Sequence, residues 1–153
     1  MFHIVLVEPE IPQNTGNISR TCAVTGAALH LVHPLGFSID DKHLKRAGLD
    51  YWKDLTLYEY QSFEEVERRW PNARFFLAST HAQRSYSDVA YRDGDFLVFG
   101  RETAGLGEEL LTRRAADGIR IPMGQGQRSL NLSNSAAIVL YEALRQTGFP
   151  NLV

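Results

Sequence analysis

Three stretches of this 153-residue chain concentrate residue types that can hold a polar ligand: NTGNISRTC (Asn14 to Cys22), FLVFGRETAGL (Phe96 to Leu106) and IPMGQGQRSLNLSNSAAIVLYEAL (Ile121 to Leu144). Each sets glycines or short polar side chains at a predicted strand-end turn, where main-chain N–H and C=O groups can approach a ligand closely. Familiar nucleotide fingerprints are missing. Gly105-Leu106-Gly107 and Gly124-Gln125-Gly126 both lack the third glycine of GxGxxG, and no glycine-lysine-serine/threonine occurs. His30 and His33 flank a strand end without cysteines or an HExxH helix, so ordinary core or surface histidines are the better reading, and no metal is expected.

The elements that must position these stretches follow from hydrophobic spacing. Apolar runs predict strands at His3 to Val7, Ala28 to Val32, Leu55 to Tyr60, Arg74 to Ser79, Asp95 to Phe99 and Gly118 to Ile121. Between them, helices are expected over Gly16 to Val24 (ending near Gly26), Asp40 to Gly48, a Ser62/Glu65 capping box to Trp70, and Gly107 to Ala116. The stretch Pro9 to Thr15 reads as a loop. The longest helix runs from Leu132 to Thr147, with Gly148 at the left-handed cap and Pro150 beyond. Strands alternating with helices, and apolar throughout, give an α/β domain with a mainly parallel sheet flanked by helices on both faces. Ligands bind at the carboxyl ends of such strands, which points to the loops after Val7, Ser79, Phe99 and Ile121.

Composition sets limits rather than a function. With 44% hydrophobic and 22% charged residues the chain suits one domain, residues 1–153. A net charge of −2 gives no global basic signal, so any nucleic-acid contact must be local. The one cysteine, Cys22, reads as a buried hydrophobe, and neither a leader segment nor a membrane span is apparent. A cytoplasmic location is expected.

Taken together, in order and spacing, the three stretches resemble the motifs of the SpoU branch of the SPOUT methyltransferases: N-x5-R, then FGxExxGL, then IPM…SLN-SNSAA…YE. EPEIPQNTGNISR and DDKHLKRAGLDY look further like the short enzymes that modify the wobble nucleotide of tRNA. The resemblance implies a C-terminal trefoil knot, where pattern reading alone offers an unknotted doubly wound sheet. It also implies S-adenosylmethionine as cofactor and transfer of its methyl to the 2′-hydroxyl of the wobble cytidine or modified uridine. Another tRNA position, ribosomal RNA, or a catalytically silent RNA-binding module are the rival expectations.

The resemblance carries residue roles with it. Ala78, Gly100, Ile121, Met123, Ser129 and Leu130 map to the methyl donor's pocket, held mostly by main-chain groups. Arg20, Ser129 and Asn131 map to the catalytic positions. Because an arginine side chain stays protonated, Arg20 is better suited to binding a phosphate and stabilising a developing alkoxide than to acting as a base. Asn131 either orients Arg20 or the ribose, or caps the last helix. Asn14 is expected to shape its loop, and Glu102 either to meet the cofactor's charged end or to sit in a solvent-exposed turn. Lys42, Lys45 and Arg46, with Arg84, Arg128 and Tyr141, are the candidate RNA contacts. The consecutive run Ala136 to Tyr141 leaves the last helix without a polar side, which predicts a homodimer through it. In the resembling enzymes the first motif's arginine lies near the partner's cofactor site, so Arg20 is expected to serve the other protomer.

Overall fold

Strands that are apolar at every position need cover on both faces, and intervening helices supply it. The computed structural model describes the backbone of residues 1–153 and all side chains except those of 45 and 47–50. Its strands are β1 (His3–Val7), β2 (Ala28–Val32), β3 (Leu57–Tyr60), β4 (Phe75–Ala78), β5 (Phe96–Phe99) and β6 (Gly118–Ile119). They form one six-stranded sheet in the order β3-β2-β1-β5-β4-β6. Every pairing is parallel, with Leu6 of β1 opposite both Leu31 and Phe99.

The helices are α1 (Pro12–Thr25), α2 (Lys42–Gly48), α3 (Phe63–Arg69), α4 (Glu108–Arg113) and α5 (Leu132–Gln146), with a 3-10 segment at Leu49–Asp54. Alternate strand residues point to opposite faces. Ile4, Leu6, Leu29, Leu31, Leu97 and Phe99 pack with Ile18 and Cys22 of α1 and with Leu132, Ala136, Val139, Leu140, Ala143 and Leu144 of α5. Val5, Val7, Val32, Leu77, Phe96 and Val98 pack on the other face with Phe63 and Val66 of α3, and Leu110 and Leu111 of α4 close its margin. Cys22 is buried and burial pushes its thiol pKa up, which suits the hydrophobe reading.

β1 and β2 have the expected bounds. Ser62 accepts from the Glu65 N–H at 3.2 Å, and Gly26 and Gly148 adopt the left-handed conformation. Three expectations are corrected. The supposed loop from Pro9 to Thr15 is helical from Pro12, because proline suits the first turn of a helix, where its missing N–H costs nothing. α2 starts at Lys42, since the Asp41 carboxylate accepts from the His43 N–H at 2.7 Å and sits ahead of the first turn. β3 starts only at Leu57, Leu55 following directly on the 3-10 segment. The apolar run of α5 is only partly covered within the single chain. Its buried residues form one stripe, while Ala137 and Ile138 are half-buried and Tyr141 is 45% exposed. No helix among the described residues is long and apolar enough to cross a membrane.

The lower end of the sheet holds a polar chain that the sequence did not announce. His3 Nδ1 lies 2.9 Å from His30 Nε2, His30 Nδ1 lies 2.9 Å from the Tyr60 hydroxyl, and Trp70 Nε1 donates to that hydroxyl at 2.9 Å. Desolvation lowers the pKa of His3 to about 4, helped by the N-terminal ammonium and opposed by Asp93. Desolvation, then His3 and Arg69, lowers that of His30 to about 3. Both rings are therefore neutral when folded. Below the unfolded value of 6.5 the unfolded chain takes up protons that the folded chain refuses, so stability is full above that pH and falls as pH falls toward 4. Urea midpoints are expected to show a loss of roughly 2–4 kcal/mol between about pH 7.5 and 5. Unchanged midpoints would contradict the buried neutral pair.

Candidate active site

β4, β5 and β6 end side by side, and the segments that leave them enclose a cavity of about 710 Å³, a size suited to a cofactor. Ala78 to His81 form one wall, Phe99 to Leu106 a second, and Ile121, Met123 and Arg128 to Leu132 a third. Ile11 and Asn14 of the α1 start complete it. This is the carboxyl end of a parallel sheet, where main-chain groups are no longer used by strand pairing.

The wall after β5 is a tight turn. Arg101 N–H donates to the Gly105 carbonyl at 3.1 Å and Gly105 N–H returns a bond to the Arg101 carbonyl at 2.9 Å. Gly105 has φ +66°, a left-handed conformation. A Cβ on Gly100 would lie 2.2 Å from the Gly105 carbonyl carbon and 2.3 Å from the Leu106 nitrogen. The glycine is thus demanded first by the turn folding back on its own backbone.

The turn is fastened to α1 by its carboxylate. Glu102 accepts from the N–H groups of Glu10 and Ile11, both at 2.8 Å, and from Asn14 Nδ2 at 3.1 Å. Ile11 has no side-chain cap of its own to offer, so a residue from the turn after β5 supplies the negative charge that a helix start favours. Glu10 reciprocates by accepting from the Thr103 N–H and hydroxyl at 3.0 and 2.8 Å, bonds that lower its carboxyl pKa. Asn131 Nδ2 then donates to Asn14 Oδ1 at 3.1 Å, while Asn131 Oδ1 accepts from Ser133 Oγ at 2.6 Å and the Asn134 N–H at 3.2 Å. The three stretches singled out in the sequence are joined by one hydrogen-bonded chain, Glu102–Asn14–Asn131.

All of Ala78, Gly100, Ile121, Met123, Ser129, Leu130 and Asn131 line the cavity, as does Arg128. Arg20 does not. It is exposed on α1, with its guanidinium 4.8 Å above the ring of Tyr51. Glu102 lies on the cavity wall, but its carboxylate is committed to the α1 start rather than left in a solvent-exposed turn. Asn131 caps α5, and its remaining amide reaches Asn14, not Arg20. Lys42 and Arg46 are exposed on α2, and the Lys45 side chain lies outside the described residues. Arg84 is exposed outside the cavity, donating to the Ala116 carbonyl at 3.4 Å. Tyr141 is likewise exposed and outside it. Sequence reasoning pointed to the loops after Val7 and Ser79 without singling out Ile11, Ser79, Thr80 or His81, and it missed the Glu10–Thr103 clasp. Among the described residues no cluster of His, Cys, Asp or Glu has the makings of a metal site.

The model of the SpoU rRNA Methylase family matches residues 1–141. The tRNA (cytidine(34)-2′-O)-methyltransferase of Escherichia coli K12 is 48% identical, over 100% of this chain and 98% of its own. The enzyme of the same name from Methylovorus glucosotrophus is 49% identical over 100% of both chains. A structure solved to explain 2-OH methylation of C/U34 on tRNA superposes with a TM-score of 0.93 at 45% identity, covering 97% of each chain. The SpoU methyltransferase AviRb from Streptomyces viridochromogenes, in complex with AdoMet, gives 0.83 at 26% identity over 95% of this chain and 60% of its own.

Two substitutions separate the turn from its fastening. Gly100→Ala is expected to lower stability by about 1–3 kcal/mol through overpacking and to distort the cavity wall; a thermal melt with calorimetry of cofactor binding reads both. Glu102→Ala strips three donors of their acceptor and should cost about 1–2 kcal/mol, the size of a lost cap. A melt no lower than wild type would remove the fastening role.

Proposed function

Because this chain belongs to the SpoU rRNA Methylase family, we propose that it methylates the ribose 2′-hydroxyl of nucleotide 34, the wobble position, of tRNA, using S-adenosylmethionine. The observation that carries the reading is the convergence of three sequence-remote stretches on one cavity, in a chain that matches the cytidine-34 enzymes end to end. Ribosomal RNA is the second reading, taken from the family's own description.

The cavity fits the cofactor by its donor set. Its walls are largely loop backbone, Gly100 brings two segments of chain together where a side chain could not, and Ala78, Ile121, Met123 and Leu130 offer small or apolar surface beside them. We propose these residues with Ser129 as its holders. When bound it supplies an electrophilic sulfonium methyl. That methyl would pass to the ribose 2′-oxygen in exchange for the hydroxyl proton, and the chain's part is to hold the two groups in line. Positioning provides much of the rate in such a transfer. Arg20 serves the acceptor side: its guanidinium can hold the flanking phosphate and stabilise charge growing on the oxygen. Asn131 keeps the third wall in place through α5 and Asn14. Lys42, Lys45, Arg46, Arg84, Arg128 and Tyr141 are the proposed RNA contacts.

Arg20 stands off its own cavity, and the outward face of α5 carries Ala137, Ile138 and Tyr141. Both features support a homodimer packed through α5, with Arg20 completing the partner's site; a cytoplasmic location is part of the proposal and follows from the tRNA substrate instead. The trefoil knot belongs to the same proposal, supported by stretch 121–131 sharing a cavity with turn 100–106.

Incubation with bulk tRNA and labelled S-adenosylmethionine, followed by mapping of the labelled nucleotide, tests the substrate. Label at position 34 is expected; label only in ribosomal RNA would favour the second reading. Arg20→Ala should abolish transfer while cofactor affinity stays within about twofold, because the residue is assigned to the acceptor side of the composite site and not to the cofactor's holders. Ser129→Trp, on an exposed wall position, should block the cavity. An equal mixture of the two should recover about one quarter of wild-type turnover through heterodimers holding one intact site. A dimer with no recovery would retain the interface and discard the shared site.

A further inference from the structure

The phrase DDKHLKRAGLDY supplied cations to the sequence reading, but its last residue was given no part. Tyr51 lies in the 3-10 segment Leu49–Asp54, between α2 and β3, and its ring is half-buried beneath the guanidinium of Arg20 at 4.8 Å. Arg20 makes no ion pair among the described residues, so this ring is the contact that orders it. Arg74 is tied to Asp95, Arg113 and Arg114 to Glu67, and Arg145 to Glu142, each through a carboxylate. Arg20 belongs with Arg69 over Tyr58 and Arg84 over Phe76, which have an aromatic face and no ion pair among the described residues, and of these three it alone is assigned to the acceptor nucleotide.

A carboxylate partner and an aromatic partner have opposite consequences for a cation that must act on RNA. A carboxylate occupies the N–H fork and cancels the charge that a phosphate would seek. An aromatic face attracts the flat side of the guanidinium and leaves the N–H edge open with the charge intact. An exposed arginine without either would spread over many rotamers, each of which must be given up on meeting the substrate.

We propose that Tyr51 is a positioning residue for the methyl transfer: its ring face holds Arg20 ordered and un-neutralised, with its donors free for the acceptor nucleotide's phosphate and oxygen. This rests on the reading of Arg20 as the acceptor-side residue. The ring, rather than the hydroxyl, is what the geometry assigns, so phenylalanine should serve where leucine does not.

The test uses the full-length protein, with Tyr51→Leu and Tyr51→Phe compared in single-turnover transfer to tRNA. Tyr51→Leu should lower the transfer rate by between about five- and thirtyfold, the range that a surface to a desolvated cation–π contact supports, with cofactor affinity unchanged. Tyr51→Phe should restore most of that loss. Nitrogen-15 NMR of the Arg20 side chain supplies a readout independent of turnover: its Nε–H signal should be shifted by the ring current in wild type and Tyr51→Phe, and return to the free-arginine position in Tyr51→Leu. Leucine as fast as wild type, or phenylalanine as slow as leucine, would overturn the proposal. If wild type labels no tRNA, the substrate reading fails, and the NMR comparison still decides whether the ring orders Arg20.

Discussion

The site depends on a carboxylate placed about ninety residues away, in sequence, from the helix it serves. α1 begins at a residue with no side-chain acceptor, and Glu102 fills that place from the turn after β5. The same carboxylate takes the Asn14 amide, and Asn14 in turn accepts from Asn131. One negative charge therefore fixes where α1 starts, how the cavity's central wall leans, and where α5 begins. Charge-assisted bonds of this kind are short and directional, which is what a cavity built from loops lacks by itself. Glu10 and Thr103 close the clasp from the opposite direction, so the turn cannot swing away without breaking bonds at both ends.

Building the pocket from backbone explains why its side chains say so little. Ala78, Gly100 and Ile121 are ordinary strand-end residues, and no local rule distinguishes a glycine that ends a strand from one whose Cβ would meet the returning chain. The order of the motifs revealed the site, and proximity could not be derived from spacing. What the sequence showed well was governed by nearest neighbours: the runs of β1 and β2, the Ser62 cap, the glycine stops at Gly26 and Gly148. What it concealed depended on partners far along the chain. The start of α1 was obscured because its acceptor is Glu102, so Pro12 read as part of a loop when it opens a helix. His3 and His30 meet only because β1 and β2 pair in parallel with Val5 opposite His30, bringing both rings to one face. Tyr51 and Arg20 meet through the long connection between β2 and β3, whose path no periodicity defines.

The distribution of charge bears on how a chain of net charge −2 can engage a polyanion. Neutralising phosphates releases counterions and drives binding to any nucleic acid, so a strongly basic surface gives affinity without selectivity. Here the arginines of α4 and the end of α5 are spent on Glu67 and Glu142, and Arg74 on the buried Asp95. Lys42, Arg46, Arg128 and Arg20 carry no ion pair among the described residues, and they lie on α2, on the cavity rim and on α1. Part of the uncompensated positive charge thus stands around the cavity mouth and on the helix bearing Arg20, while Arg68 and Arg69 of α3 carry more of it away from the cavity. A few free cations give weak general attraction, and the affinity for a correct substrate must then come from fit around the reacting nucleotide. Ordering one of those cations over an aromatic ring serves this arrangement, since it sharpens direction without adding charge.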